Sequence, residues 1–272
     1  MSGINFLFWN VNRKPLEERI RRIVRSNSVD LVILAECTIP SENLTKAMSA
    51  AETGAFHLVP GSADELRLYT RLPIEGWAPI YREPLDAWLG FRIVAPPIPE
   101  LLLFATHLPS KLHTDEQDRL LDASLLGEDI RRFEEQEKHN RTLLVGDMNG
   151  NPFEAPIVWA GGIHGVMTRD VARREVRVVR GREYPVLYNP MWGLLGDRTS
   201  GPPGTYYRSS SQTVNYFWNT FDQVLLRPAI MDRLSELKIL ESDGEESLLT
   251  PNGLPDAVNG SDHLPLFFRL EW

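Results

Sequence analysis

The stretch Thr142-Leu143-Leu144-Val145-Gly146-Asp147-Met148-Asn149 runs an apolar segment straight into a carboxylate and a carboxamide. A buried strand that delivers polar groups at its carboxyl end, beside a Gly-rich turn, is where layered α/β proteins place their chemistry. The motif alone suits a solvated turn equally well, because Gly, Asp and Asn are turn formers. Other apolar runs repeat the arrangement. One closes on Asn10, one runs into Glu36, one into His107, one carries Asp222, and the last is introduced by Asp262 and His263.

Together these positions supply four carboxylates (Glu36, Asp147, Asp222, Asp262), two carboxamides (Asn10, Asn149) and two imidazoles (His107, His263), with no cysteine. Such an oxygen-rich set suits Mg²⁺ or Mn²⁺, whereas zinc normally recruits more His or Cys. Two imidazoles beside a hard cation and amide donors suit hydrolysis of a phosphate ester. The cation neutralises developing charge, one imidazole activates water, and the other donors hold phosphoryl oxygens. Each residue also has a plainer reading. Asn10 suits a strand end whose backbone groups it satisfies, Glu36 and Asp147 suit exposed turns, Asp222 suits a pair with Arg227, and His107 suits a satisfied histidine. Layered folds bring strand ends to one edge, and the whole set together favours a site.

The elements that must position these groups follow from the pattern. Asn5–Asn10 reads as a first strand, and Pro15 opens a helix with Leu16, Ile20, Ile23 and Val24 on one face, ended by Asn27-Ser28. Val29–Ala35 is a central strand covered on both faces. A second helix is expected from Ser41, as cap, to Gly54, as terminator. Strands follow around Phe56–Val59, Arg67–Thr70, Trp77–Tyr81, Trp88–Val94 and Leu101–Thr106. Asp115–Lys138 reads as a helix with Leu121, Leu125 and Ile130 inward. Ala155–Trp159 reads as a short helix, and Glu175–Val186 as a hairpin turning near Gly181. Thr205–Tyr207, Phe221–Leu226 and His263–Leu270 are the last strands, with 243–261 a loop leading into the site.

The 272 residues accommodate one large domain or two small ones, and no repeat, low-complexity tract or linker divides them, so residues 1–272 are expected to form a single domain. With 42% hydrophobic and 24% charged residues an ordinary core is expected. The lone cysteine, Cys37, excludes an internal disulfide and suits a reducing compartment. No basic leader and no run of ~18 apolar residues is present, so the expected location is the cytoplasm, with no membrane span. The net charge of −8, from 29 basic and 37 acidic residues, argues weakly against broad phosphate-backbone binding.

The ordered pieces Trp9-Asn10, Leu34-Ala35-Glu36, Thr106-His107-Leu108, Gly146-Asp147-Met148-Asn149, Phe221-Asp222 and Ser261-Asp262-His263-Leu264-Pro265 resemble the endonuclease/exonuclease/phosphatase superfamily, also called DNase-I-like. The resemblance spans nearly the whole chain. It implies a four-layer α/β sandwich, two packed mixed β-sheets flanked by helices. It implies that Glu36 ligates Mg²⁺ with Asn10 and Asp262 close by, and that His263 is the general base oriented by Asp222. It further implies that His107 contacts the scissile phosphate or assists the leaving oxygen, that Asn149 holds a phosphate oxygen, and that Asp147 positions water or a second cation. Glu65 is a further candidate to orient His107, with a surface carboxylate as its plainer reading.

Within that superfamily, abasic-site endonucleases usually carry Tyr where this chain has His107, and inositol-polyphosphate 5-phosphatases carry Trp-Cys-Asp-Arg where it has Thr220-Phe221-Asp222-Gln223. Asn189–Trp192 and Gly204–Tyr207 instead resemble segments of bacterial members. The expected activity is Mg²⁺-dependent hydrolysis of phosphodiesters, with DNA the favoured substrate and a monomer the favoured state. The alternatives are a phosphoesterase acting on a small-molecule or lipid phosphate ester, and a binding module whose site has decayed. Two local features bear on substrate. Arg169, Arg173, Arg174, Arg177, Arg180 and Arg182 fit either a solvated hairpin with internal ion pairs or a phosphate-tracking arm. Tyr206, Tyr207, Arg208, Tyr216, Phe217 and Trp218 fit a single-strand stacking platform, with about half of them expected in the core.

Overall fold

The computed structural model describes residues 3–50, 54–63, 65–84, 87–111 and 114–272. The chain begins with β1 (Gly3–Asn10), α1 (Glu17–Ser26), β2 (Leu31–Ala35), α2 (Ser41–Ser49), β3 (His57–Leu58) and β4 (Leu66–Thr70). Next come β5 (Trp77–Arg82), β6 (Trp88–Ile93), β7 (Leu101–His107), α3 (Glu116–Glu137) and β8 (Thr142–Asp147). Then follow α4 (Ala155–Val158), β9 (Gly165–Val166), α5 (Arg169–Ala172), β10 (Val176–Val179), β11 (Arg182–Pro185) and β12 (Leu187–Tyr188). The last elements are β13 (Tyr206–Tyr207), β14 (Trp218–Asn219), β15 (Asp222–Leu226), α6 (Pro228–Met231), β16 (Leu234–Ile239) and β17 (Leu266–Glu271).

Two mixed sheets result, in the orders β16-β17-β1-β2-β4-β3 and β5-β6-β7-β8-β15-β12-β9. Each contains a parallel pair joined across a helix. β1 runs parallel to β2 with α1 between them, and β7 runs parallel to β8 with α3 between them. Parallel neighbours need such a crossover, because a tight turn cannot reverse the chain twice. Alternation then sorts the side chains of the second sheet. Leu103, Ala105, Leu143, Val145, Val224 and Leu226 join the core shared with Phe6, Phe8, Val32 and Phe268 of the first sheet. Leu102, Phe104, Leu144 and Leu225 point the other way, onto Ala123, Leu126, Ile130 and Phe133 of α3. With α1 and α2 on the first sheet, the layers are helix, sheet, sheet, helix, the expected α/β sandwich.

The pairing registers place the polar strand ends together. Asn10 lies opposite Ala35, the residue before Glu36, and His107 lies opposite Asp147. The antiparallel β15 starts at this same edge, with Asp222 opposite Asp147. β17 starts there as well, with Leu266 opposite Phe8 and Asp262 and His263 just ahead of it. Strands leaving and strands entering therefore put their chemistry on one rim.

Three expectations about elements are corrected. In α3, Leu121 is 57% and Leu125 43% exposed; the buried stripe is Ala123, Leu126, Gly127, Ile130 and Phe133. Gly127 fixes that face, since a side chain there would meet the Gly162 carbonyl oxygen at 2.2 Å. Ser41 is the first residue of α2 and caps nothing; the extended Pro40 stands at the cap, its carbonyl accepting from the Asn43 and Leu44 amides. The helix ends at Ser49 with Ala50 as its C-cap, so Gly54 is not its terminator; residues 51–53 of that expected helix lie outside the described residues. Among the described residues no helix is long and apolar enough to cross a membrane.

Candidate active site

β8 delivers Asp147 because the chain passes its neighbour with no clearance. At Gly146, whose φ is +157°, a Cβ would lie 1.9 Å from the Thr106 carbonyl oxygen. Glycine alone permits β7 and β8 to run this close at their ends. Three residues after Gly146, Asn149 takes a left-handed φ of +45°, a conformation Asn tolerates, and its backbone N–H donates to Asp147 Oδ1 at 2.9 Å. The Gly-Asp-x-Asn motif is thus a close approach followed by a local turn, and it leaves Asp147 Oδ2 aimed across the rim.

Asn10 meets that oxygen. Its amide nitrogen donates to Asp147 Oδ2 at 3.0 Å and to Glu36 Oε1 at 3.1 Å, while its oxygen accepts from the Asn12 amide at 3.0 Å. One buried side chain therefore ties a carboxylate of the second sheet to one of the first. Glu36 holds a left-handed φ of +49°, which for a residue with a Cβ is strained and persists only because its surroundings fix it. Its backbone N–H donates to the Glu65 carbonyl and its own carbonyl accepts from the Arg13 amide. Across the rim, His107 Nε2 lies 3.6 Å from Glu36 Oε1.

His263 sits on the other flank of Asp147. Its Nδ1 is 2.8 Å from Asp222 Oδ2 and 3.1 Å from Oδ1, and its Nε2 is 3.8 Å from Asp147 Oδ2. Asp222 is fully buried, so this clamp works in a low dielectric. Burial disfavours charge on the imidazole, but the carboxylates of Asp222, Asp147 and Asp262 outweigh it and push the ring up to about 10. Burial also lifts the Asp222 carboxyl above its ordinary value, with His263 partly opposing it. Asp262 is held by the Asn12 amide at 2.8 Å.

Several residues outside the expected set hold these groups. The Trp9 indole donates to the His263 carbonyl at 2.8 Å, and the buried Ser261 hydroxyl donates to the Asn10 carbonyl while accepting from the His263 amide. Tyr206 pairs with His263 as a bridge, its ring 4.7 Å from the imidazole. Thr205, next to it, accepts from the Asp222 amide through its hydroxyl and from the Leu264 amide through its carbonyl. The Gly-Thr-Tyr-Tyr segment thus laces both ends of the Asp–His clamp. The Asn189 amide donates to Gln223, whose own amide donates to the carbonyls of Gly150 and Thr220. Ser261, Asn189 and Gly204–Tyr207 belong to segments singled out in the sequence; their supporting roles show only once the strands are assembled.

Arg227 pairs with Glu134, not Asp222, at 2.7 Å. Glu65 faces Arg13 at 3.8 Å at the mouth of the cleft. Arg169 and Arg173 pair with Asp232, and Arg177, Arg180 and Arg182 are exposed. The arginine hairpin β10–β11 leads into Val186, whose carbonyl accepts from Arg227 beyond the end of β15 remote from Asp222. It is a solvated ribbon at the opposite edge from the cleft. Of Tyr206, Tyr207, Arg208, Tyr216, Phe217 and Trp218 none is in the core; all are half-buried or exposed, because β13 and β14 form a separate two-stranded ribbon over the rim.

A cleft of about 690 Å³ joins these groups, lined by Glu36, His107, Asp147, Asn149, Asp262 and His263 among others. The residues present fit a hard divalent cation. Glu36 and Asp147 are brought onto a single amide donor, Asp262 stands in the same cleft, and the donors are all oxygen. Asp147, Asp222 and His263 also present ligand atoms within 4.8 Å of one another. His263 Nδ1 is bonded to both Asp222 oxygens, which leaves Nε2 as its free ring nitrogen, 3.8 Å from Asp147.

No curated protein matches the sequence. Among solved structures, the fold is similar to that of an endonuclease/exonuclease/phosphatase family protein from Leptotrichia buccalis C-1013-b (TM-score 0.58, 13% identity, 99% of this chain and 100% of that one). It is similar to D. rerio TDP2 solved with a single-strand DNA product (0.57, 17%, 100% and 100%). It is also similar to the human Nocturnin catalytic domain with a bound sulfate anion (0.57, 15%, 99% and 94%). At these identities the likeness speaks for the fold. The sequence itself matches the Endonuclease/Exonuclease/phosphatase family over residues 7–263. The chain belongs to that family, whose members are phosphodiester-hydrolysing enzymes.

Proposed function

We propose that the chain is a Mg²⁺- or Mn²⁺-dependent phosphodiesterase that cuts DNA, with His263 as general base. The observation that carries this reading is the clamp on His263. Nδ1 is held by both oxygens of a buried carboxylate, which fixes the ring and its tautomer and leaves Nε2 facing the cleft beside Asp147. In this reading Nε2 accepts the proton of the attacking water, and Asp222 stabilises the imidazolium that forms. Glu36 would hold the cation with Asn10 and Asp262 at its side, and a bound cation would neutralise charge developing on the phosphoryl oxygens. His107, 3.6 Å from Glu36, stands where it can donate to the phosphate or to the leaving oxygen. The Asn149 amide spends one hydrogen on the Leu108 carbonyl at 2.8 Å, so its second can meet a phosphoryl oxygen. Asp147, reached by Asn10 and facing His263, would orient the water.

DNA is favoured because the cleft is open and Arg13, Lys111 and Arg208 line it together with aromatic side chains. TDP2, similar in fold, was solved with a single-strand DNA product. The second reading is a phosphoesterase for a small phosphate ester, favoured by Glu65, Glu83 and Asp122 on the same walls, which repel an extended polyanion. A decayed binding module fits poorly with a strained Glu36 and a clamped base both retained. We take residues 1–272 to act as one domain, a monomer in the cytoplasm.

The test is hydrolysis with Mg²⁺ of single-stranded, duplex and nicked DNA, RNA, and a small aryl phosphodiester, with products mapped. DNA cleavage supports the reading; turnover of the small ester with every nucleic acid untouched moves the assignment to the second reading.

A further inference from the structure

Beside the hydrolytic groups the cleft has a wall that the proposed chemistry does not use. It is built by the ribbon and loop from Tyr206 to Asn219, with Val214, Asn215 and Tyr216 lining the cleft. Val214 is 68% and Tyr216 52% exposed. Single exposed apolar residues are ordinary on protein surfaces. Tyr216 is different because another ring packs against it. Phe153, immediately after the Asn151-Pro152 turn of the catalytic loop, packs edge-on against it at 5.3 Å, and Trp192 packs edge-on against Phe153 at 6.3 Å. An aromatic side chain packed against a second ring, itself braced by a third, and left half-exposed toward a cleft offers a flat face to a planar ligand at small entropic cost.

A cation is fixed in the same cleft. Lys111 lines the same cleft, is ion-paired with Glu154, and stands over the Phe221 ring with Nζ 4.8 Å from its centroid. Glu154 is shared with Arg119 at 3.2 Å and with Asn151, so the ammonium is anchored on the loop that also carries Asn149. Phe221, under the ammonium, precedes Asp222 directly. A planar face and an anchored ammonium lining the same cleft as Asn149 match a nucleobase and an adjacent phosphate.

We propose a nucleotide subsite flanking the scissile phosphate, in which Tyr216 stacks on an unpaired base and Lys111 contacts the adjacent phosphate. The inference rests on the nuclease reading and narrows its substrate to DNA with at least one unstacked base beside the cut, that is, single strands, frayed ends or flaps. Stacking tolerates any base, so the subsite selects for strandedness and not for sequence.

The experiment uses the full chain and short single-stranded DNA with a non-hydrolysable phosphorothioate linkage, bound in Mg²⁺ and followed by fluorescence anisotropy. An abasic nucleotide is moved through the positions flanking that linkage. For wild type, one position should weaken binding by roughly 5- to 100-fold, the range for loss of one base–aromatic stack. Tyr216→Ala should weaken the intact oligonucleotide by a similar factor and be insensitive to the abasic site at that position, while Tyr216→Trp restores binding. Lys111→Ala should raise KM for cleavable single strands with a smaller change in kcat. Trp159→Ala, an exposed aromatic outside the cleft, serves as control and leaves binding unchanged. If Tyr216→Ala binds and cuts as wild type does, or if the two losses multiply at every position, the subsite is overturned while the nuclease reading stands. If no oligonucleotide is bound or cut by wild type, both fall together.

Discussion

Asp222 grips the Nδ1 of His263 with both carboxylate oxygens, at 2.8 and 3.1 Å, across the gap between the two sheets. The contact joins the first residue of β15 to a residue just ahead of β17, so it forms only when the sandwich closes. Folding and the formation of this clamp are one event.

Replacing Asp222 by Asn keeps the shape and removes the charge that orients and stabilises the imidazolium. Hydrolysis by Asp222→Asn should fall by roughly 10³- to 10⁴-fold, as for the orienting carboxylate of other His-dependent hydrolases. Steady-state rates alongside a circular dichroism spectrum check this; a folded variant within tenfold of wild type would remove Asp222 from the account.

The pH dependence has a definite sign. His263 must be neutral to accept a proton, and its neighbouring carboxylates raise it well above an ordinary imidazole, so the inactive cationic form dominates at low pH. kcat/KM should rise with pH. A cation bound against the same carboxylates offsets their potential, so the rise should move to lower pH as Mg²⁺ is increased. Rates that stay flat from roughly pH 5 to pH 9 at every Mg²⁺ concentration contradict a base role for His263.

Glu36→Gln preserves size and removes a charged oxygen donor. Its affinity for Mn²⁺ by calorimetry should drop by at least the ~10- to 100-fold seen when even an outer partner of a metal ligand is lost. Unchanged affinity would place the cation elsewhere.

Gly146→Ala puts a methyl group 1.9 Å from the Thr106 carbonyl oxygen, and the backbone must separate β7 from β8 to admit it. Chemical denaturation should show a loss of about 3 kcal/mol, the scale of severe overpacking. A loss under about 1 kcal/mol would mean that the strand ends are looser than the register implies.

The fold and the rim were readable in the sequence to the extent that each feature was local. Asn10, Glu36, His107 and Asp147 end apolar runs, and an end is visible without knowing what lies opposite. β16 (Leu234–Ile239) was not readable, because an exposed edge strand of alternating character, Leu-Ser-Glu-Leu-Lys-Ile, does not separate itself from loop. α3 was placed correctly but turned wrongly. Ala123, Leu126, Ile130 and Phe133 recur at helical spacing, but so do Leu121 and Leu125, and the contact of Gly127 with the Gly162 backbone, which favours the first stripe, leaves no mark in apolar spacing. The support given by Thr205, Ser261 and Asn189 is likewise tertiary: short polar residues look like turn formers until the strands they lace are known.

In the proposed function, a cation-dependent site with His263 as its base hydrolyses phosphodiesters. The most direct measurement is the initial rate of cleavage of a labelled single-stranded DNA in Mg²⁺ by wild type and by His263→Ala. The account predicts cleavage by wild type that EDTA abolishes and that His263→Ala reduces by roughly 10³-fold or more. Cleavage that survives EDTA, or a His263→Ala protein that cuts as fast as wild type, would contradict it.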